Sequence, residues 1–120
     1  MRSMSFEAEN IRLWAGHDVV DASGDKIGSL ESIYYDTGVD EAAFGGVQIG
    51  LVGKKLIFVP LHGAVVAPGY VKVQISKKLA RDSPSIAVDG ELTRDQEAAV
   101  FAHYGLPYDS EGTDRRLGRR

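Results

Sequence analysis

The segment GKKLIFVPL, residues 53–61, decides the fold of this chain. It opens with a Gly-Lys turn signal, and the residues from Leu56 to Val59 are all apolar. Because successive side chains of a strand point to opposite faces, both faces of this strand are apolar. The pattern predicts a strand that is covered on both sides or that wraps around a barrel corner. Pro60 has no amide proton, so it predicts a strand end, a bulge or a sheet edge.

The segments before and after this strand alternate apolar and polar residues, which is typical of half-buried strands. In AFGGVQIGL, residues 43–51, every second residue from Val47 onward is apolar. In APGYVKVQIS, residues 67–76, a Pro-Gly turn signal precedes inward-facing valines and an isoleucine. The outward positions of that strand include Tyr70 and Lys72.

The segment DVVDASGDKIGSLESIYYD, residues 18–36, predicts two strands joined by a polar turn at residues 23–25. The oxygen-bearing side chains of this turn also suggest a calcium loop. In an EF-hand loop opened by Asp21, however, Gly24 comes too early and Ser32 stands where the bidentate Glu is needed. We therefore interpret the turn as the end of a hairpin.

The end of the chain changes to helical spacing. In LTRDQEAAVFAHYGLPY, residues 92–108, Thr93 and Gln96 form a capping-box pattern, and Gly105 is a natural C-terminal cap. A single helical turn is also predicted just before Pro84. The chain therefore predicts a mainly β fold, a small sandwich or barrel of about five or six antiparallel strands, with one C-terminal α-helix.

Composition bounds the class of protein. With 120 residues, 43% hydrophobic and 26% charged, the chain predicts one globular domain with a modest core. It has no cysteine, and its formal net charge of -3 gives no basic field for nucleic acid or anionic lipid. The sequence shows no transmembrane-length apolar run and no signal peptide, so we predict a cytoplasmic protein. Residues 1–12 and 109–120 are polar and are predicted to be flexible and disordered, respectively.

The chain contains five short motifs: WAG at 14–16, DVVD at 18–21, GDKIG at 24–28, IYYD at 33–36 and FVPL at 58–61. Together these motifs resemble the PRC-barrel family, which includes the cytoplasmic domain of the photosynthetic reaction centre H subunit and the C-terminal domain of the ribosome maturation factor RimM. Residues 83–108 resemble the segment that follows the PRC barrel in bacterial stress-associated proteins. The resemblance implies a barrel over 13–82 and an extension over 83–108 whose helix packs on it.

The resemblance implies a non-catalytic module for interaction and assembly, with no catalytic residues and no cofactor. Its partner would be another protein or a second copy of the chain, and a homodimer is expected because cyclic dimers are the commonest oligomers. The alternative is a ribosome- or RNA-associated factor like RimM, although the chain lacks the N-terminal domain of such a protein.

Other motifs of ligand-binding and catalytic proteins do not occur in this chain with the spacing that they require. GGVQIGLVGKK, residues 45–55, has neither the first glycine nor the hydroxyl residue of a phosphate-binding loop. His17, His62 and His103 lie in separate segments, and the chain has no GxSxG nucleophile elbow. We therefore predict neither a metal site nor a catalytic site.

The candidate partner contacts are tyrosines and arginines. Tyr34 and Tyr35 are adjacent, so on a strand one of them is predicted to face outward, as is Tyr70. The dense basic patch consists of Arg115, Arg116, Arg119 and Arg120. Acidic residues precede these arginines, so a solvated tail is favoured over nucleic-acid contact. Trp14 is predicted to be a core or barrel-plug residue.

Overall fold

The computed structural model describes residues 16–36, 41–50, 53–88, 90–106 and 117–119, which form eight strands and two helices. The predictions for residues 1–12 and for Trp14 lie outside the described residues. In chain order the elements are β1 (Asp18–Val20), β2 (Lys26–Asp36), β3 (Glu41–Ile49), β4 (Lys55–Pro60), β5 (Val65–Ala67), β6 (Tyr70–Lys72), α1 (Lys77–Arg81), β7 (Ser85–Ala87), α2 (Arg94–His103) and β8 (Leu117–Arg119).

The strands form one mixed sheet in the order β5-β6-β1-β2-β3-β4-β7, and β8 pairs with β2 off this path. The mainly β prediction is confirmed. The structure differs from it at β1 and β6, which pair in parallel, and in the strand number, since β5, β7 and β8 have only three residues each. Such short segments carry too little alternation to be recognised in the sequence. Among the described residues no ladder joins β5 to β7, so the hydrogen-bonded sheet is open rather than a closed barrel.

Both faces of β4 are buried, as its sequence predicts. Ile57 and Val59 lie in one core cluster and Leu56 and Phe58 in another, and all four side chains have no solvent exposure. We call the first cluster the aliphatic core; its members are Val19, Ile27, Leu30, Ile33, Tyr35, Val47, Ile57, Val59, Leu61, Ala64, Val71, Val73 and Ala80. We call the second the aromatic core; its members are Tyr34, Phe44, Leu56, Phe58, Ile86, Leu92, Val100 and Phe101.

Two glycines let β2 and β3 approach closely. A Cβ atom at Gly28 would lie 2.3 Å from the carbonyl oxygen of Gln48, and one at Gly46 would lie 2.6 Å from Ser32 Oγ. Real Cβ atoms do not come so near, so a side chain at Gly28 would push the two strands apart, whereas one at Gly46 would require the Ser32 side chain to move. The close approach of β2 and β3 therefore depends most on glycine at position 28.

Helix α2 covers the aromatic core. Phe101 packs edge-on against Phe44 with ring centroids 5.2 Å apart, and the Tyr104 hydroxyl donates a hydrogen bond to the carbonyl of Phe58. The predicted capping box at Thr93 and Gln96 is confirmed by both of its hydrogen bonds. The C-terminal end has the double hydrogen-bond pattern of a Schellman motif, with Gly105 at positive φ.

Helix α1 is the single turn predicted before Pro84, and it begins at Lys77 after the cap residue Ser76. Ala80 of α1 is fully buried in the aliphatic core. Neither helix of the described chain has the length and apolar character needed to cross a membrane.

Candidate interaction surfaces

The carboxylate of Asp21 organises the turn between β1 and β2. Its Oδ1 atom accepts hydrogen bonds from the backbone amides of Ser23 and Asp25, each at 2.9 Å. Gly24 adopts a φ of 91°, which a side chain would disfavour. The predicted hairpin is confirmed by the pairing of β1 with β2. The oxygen-rich turn is therefore an element of the fold.

The same carboxylate ties the turn to α1, which sequence reasoning missed. Asp21 Oδ2 accepts a hydrogen bond from the backbone amide of Lys77 at 2.9 Å. This amide, followed by that of Asp25, holds the pKa of Asp21 below its ordinary value of 3.8, although burial opposes the shift. Lys77 lies far along the chain from Asp21, so no local sequence pattern predicts this hydrogen bond. Both carboxylate oxygens therefore serve the protein's own backbone.

An open groove of about 530 Å³ lies between this turn and α1. Its charged lining is balanced, since three basic side chains face three carboxylates, and Arg81 Nη2 also donates to the carbonyl of Ile27 at 3.2 Å. This balance gives no strong field of one sign for a charged ligand. The lining residues are Asp21, Asp25, Ser76, Lys77, Lys78, Arg81 and Asp82.

Tyr70 lies in a second, smaller groove of about 290 Å³, together with Val20, Gly24 and Lys72. In the parallel pair of β1 and β6, Val20 lies beside Lys72, whereas the intervening Val71 is buried in the aliphatic core. Tyr70 is half-buried, and its position on the outer face of β6 confirms the predicted orientation. We call the groove and its four lining residues the Tyr70 groove.

A sheet edge and an ion pair border the Tyr70 groove. Strand β5 pairs with β6 through Ala67 and Tyr70, and it is an end strand in the sheet order of the described residues. On the other side, Lys26 Nζ lies 3.2 Å from an oxygen of Asp18, and both side chains are about half exposed. The groove thus combines an aromatic ring, a cation and a strand edge.

Tyr34 and Tyr35 are both buried, with exposures of 2% and 3%, so the prediction that one of them faces outward is wrong. Tyr34 lies in the aromatic core and Tyr35 in the aliphatic core, because the sheet is covered on both faces at this end of β2. Alternation places one of two adjacent side chains in solvent only where one face of the sheet is exposed. Neither ring forms part of the protein surface.

The basic segment is partly ordered by β8. Arg119 pairs with Tyr34 through this strand, whereas the sequence predicted a disordered tail over 109–120. An available sheet edge explains the difference, because its backbone groups can order a polar segment that has no core of its own. Arg115, Arg116 and Arg120 lie outside the described residues. Their RNA-associated role stays a prediction.

The three histidines are separated in the fold. His103 Nε2 lies 2.7 Å from the carbonyl oxygen of Leu79, so this ring links α2 to α1. Within the described ranges, no three His, Asp or Glu side chains are grouped so that they could hold a metal ion.

Comparison of the chain with protein-family models and with curated proteins found no match. The PRC-barrel resemblance therefore stays a prediction. The Tyr70 groove and the β5 edge remain as the candidate interaction surface on geometric grounds.

Proposed function

We propose that the chain is a non-catalytic interaction and assembly module of the PRC-barrel type, which docks on a protein partner or on a second copy. The observation that carries the proposal is the half-buried Tyr70 in an open groove beside the end strand β5. Tyrosine is enriched at protein interfaces because it combines a large apolar ring with a polar tip. A sheet edge adds backbone donors and acceptors for an extended partner segment.

The chemistry of the Tyr70 groove suits a protein ligand. Val20 and the Tyr70 ring offer apolar contact, while Lys72 offers a cation at the rim. Because Ala67 of β5 lies opposite Tyr70, a segment that paired with the outer edge of β5 would lie one strand further from Tyr70. We expect a partner that places an apolar side chain against the ring and an acidic one near Lys72, and that adds backbone hydrogen bonds at the β5 edge.

The fold's use of its buried polar groups also supports a non-catalytic role. The Asp21 carboxylate accepts backbone amide protons from two parts of the chain. Ser83 Oγ accepts from the amide of Phe58 at 3.3 Å and donates to the carbonyl of Pro84 at 2.9 Å. These side chains substitute for missing backbone partners, which is a structural task.

A photo-crosslinking amino acid at position 70 tests the proposal in the native host. We expect irradiation to capture one defined protein, or a second copy of the chain, at stoichiometric yield. The matched control carries the same group at position 79, because Leu79 is also a surface apolar side chain, at 38% exposure, but lies on α1. Equal capture at both positions, or none at position 70, contradicts docking at the Tyr70 groove.

Substitution separates docking from folding. Tyr70→Ser is expected to weaken the captured complex at least about tenfold, as loss of an interface tyrosine commonly does. Leu79→Ser removes a comparable exposed apolar side chain and is expected to leave the complex unchanged. Thermal unfolding of both variants shows that the domain is intact. Binding that survives Tyr70→Ser contradicts the proposed surface.

A further inference from the structure

The outer face of the sheet around the Tyr70 groove consists of two short rows of side chains. Val66, Val71 and Val19 lie side by side on β5, β6 and β1, and all three pack in or against the aliphatic core. Because side chains alternate along a strand, the residues that flank these valines share the opposite, outer face. The register places Ala67, Tyr70 and Asp18 in one row and Val65, Lys72 and Val20 in the next.

Lys72 is a half-buried cation between two apolar neighbours. Val65 of β5 lies on one side of it and Val20 of β1 on the other. Within the described part of the chain, no carboxylate lies within ion-pair distance of its amino group. The flanking valines exclude water from part of the side chain, so its charge is screened less than that of a fully exposed lysine. A carboxylate supplied by a ligand is therefore attracted more strongly here than at the open surface.

The Tyr70 end of the groove has the opposite charge. Asp18 lies beside Tyr70 in the register, one row away from Lys72. Its carboxylate lies 3.2 Å from Lys26 Nζ, so this ion pair, and not Lys72, engages it. A ligand carboxylate beside Asp18 would meet a like charge, whereas one beside Lys72 would meet an opposite charge. The groove therefore distinguishes between the two ends of a ligand.

The spacing of Tyr70 and Lys72 defines the pattern that such a ligand must carry. The two residues are separated by one position on β6, which sets their Cα atoms about 6.5 Å apart. An extended peptide has the same repeat, so two of its side chains separated by one position reach the ring and the cation together. Adjacent side chains of the peptide point to opposite faces and cannot both make these contacts.

We infer that Lys72 is the specificity-determining residue of the Tyr70 groove, and that the groove takes an extended segment of a protein partner in which one residue separates an apolar from an acidic side chain. The inference rests on the proposed function and names the chemistry of the partner. Tyr70 supplies the apolar contact, Lys72 pairs with the carboxylate, and Asp18 disfavours a carboxylate at the Tyr70 end. Charge thus selects among the segments that the tyrosine alone would accept.

Three short peptides test the pattern on full-length chain labelled with ¹⁵N. The probe is a serine-rich peptide of eight residues with phenylalanine at its fourth position and glutamate at its sixth. One control replaces the glutamate with glutamine, and the other moves it next to the phenylalanine. We expect the probe to shift the amide signals of β6 and β1, and to bind at least about fivefold more tightly than either control at low salt. Equal binding of all three peptides, shifts elsewhere, or no binding at millimolar concentration overturns the inference.

Charge reversal tests the role of Lys72 itself. With Lys72→Glu, a peptide that carries lysine at its sixth position should bind better than the glutamate probe. Lys78→Glu is the matched control, because it changes the net charge equally but lies in the groove beside α1. This control should keep the preference for glutamate. If Lys72→Glu fails to fold, Lys72→Gln should abolish the preference, and a preference that survives the substitution contradicts the role of Lys72.

The crosslinking experiment at position 70 separates this inference from the proposed function. Capture that falls at least about tenfold with Lys72→Glu, but not with Lys78→Glu, supports both. Capture that Lys72→Glu leaves unchanged overturns the role of Lys72 and leaves docking at the Tyr70 groove standing. Absence of capture in the parent chain overturns the proposed function and, with it, the assignment of a protein partner to this groove.

Discussion

The two faces of the sheet are covered in different ways. The aliphatic core is enclosed by the sheet's own strands, with Val19 of β1 and Val71 of β6 in the same cluster as Ile57 of β4, and with α1 at one end. The aromatic core is covered by a later segment of the chain, mainly α2. Curling the sheet covers one face through backbone pairing, whereas the other face depends on a helix held by side chains. Helix α2 should therefore detach from the aromatic core more easily than the paired strands around the aliphatic core separate.

The largest expected effect comes from paired truncations on β4. Leu56→Ala and Ile57→Ala remove equally sized, fully buried side chains from adjacent positions on opposite faces. Each should lower the free energy of unfolding by about 2–5 kcal/mol. We expect Ile57→Ala to cost more, because paired strands relax less around a cavity than a docked helix does. Urea denaturation measures both, and a larger loss for Leu56→Ala would break the comparison.

Acid should lower the stability of the fold through Asp21, which joins the β1–β2 turn to α1 beside the aliphatic core. Its folded pKa lies below 3.8, so its stabilising effect is present above that value and is lost as the pH falls through the folded pKa. We expect Asp21→Asn to lower the urea midpoint at neutral pH, with the difference from the parent chain disappearing in acid. Asp25→Asn is the control, since only the backbone of Asp25 bonds to Asp21. A difference that persists unchanged in acid contradicts the role of the carboxylate charge.

Alkali should lower the stability of the fold through Tyr104, which packs against the aromatic core. Burial raises the pKa of its hydroxyl from 10.0 to about 12, although a hydrogen bond with Ser83 opposes the shift. Stability should therefore be complete below pH 10.0 and fall as the pH rises towards about 12. Tyr104→Phe should cost about 0.5–1.5 kcal/mol at neutral pH and flatten this alkaline loss. Denaturation followed across alkaline pH measures both effects, and an unchanged alkaline slope would contradict the assignment.

The smallest effects should come from the helix caps. Thr93→Ala removes one hydrogen bond of the capping box and disrupts its partner, for a cost of about 1 kcal/mol. Ser76→Ala removes the bond from the Leu79 amide, but Asp21 still holds the neighbouring Lys77 amide, so a cost of about 0.5 kcal/mol is expected. Hydrogen exchange of the two helices compares them directly. A larger cost for Ser76→Ala than for Thr93→Ala would show that α1, not α2, is the less stably attached helix.

The sequence predicted the features that local chemistry decides. The two apolar faces of β4, the turn around Gly24 and the capping box at Thr93 each depend on residues close in sequence, and all three were confirmed. The outward position of Tyr70 followed from alternation in the same way. These predictions hold because the backbone geometry of strands, turns and caps restricts which residue types suit each position.

The features that the sequence could not predict all join distant segments. The bond from Lys77 to Asp21 and the ladder from β8 to β2 leave no periodic signal, because each uses backbone groups that every residue carries. The burial of Tyr34 and Tyr35 followed from cover on both faces of β2, which alternation alone cannot reveal. The prediction that one of these two tyrosines faces outward was therefore wrong.

The parallel pairing of β1 with β6 also sets the order of folding. Asp18 of β1 meets Tyr70 of β6 only after a loop of about 50 residues has closed, whereas the antiparallel neighbours β1 to β4 are joined by short connections. During synthesis β1 must wait until β6 has left the ribosome before its second neighbour exists. Until then the nascent chain exposes one edge of its first strand, which makes this the step most open to mispairing.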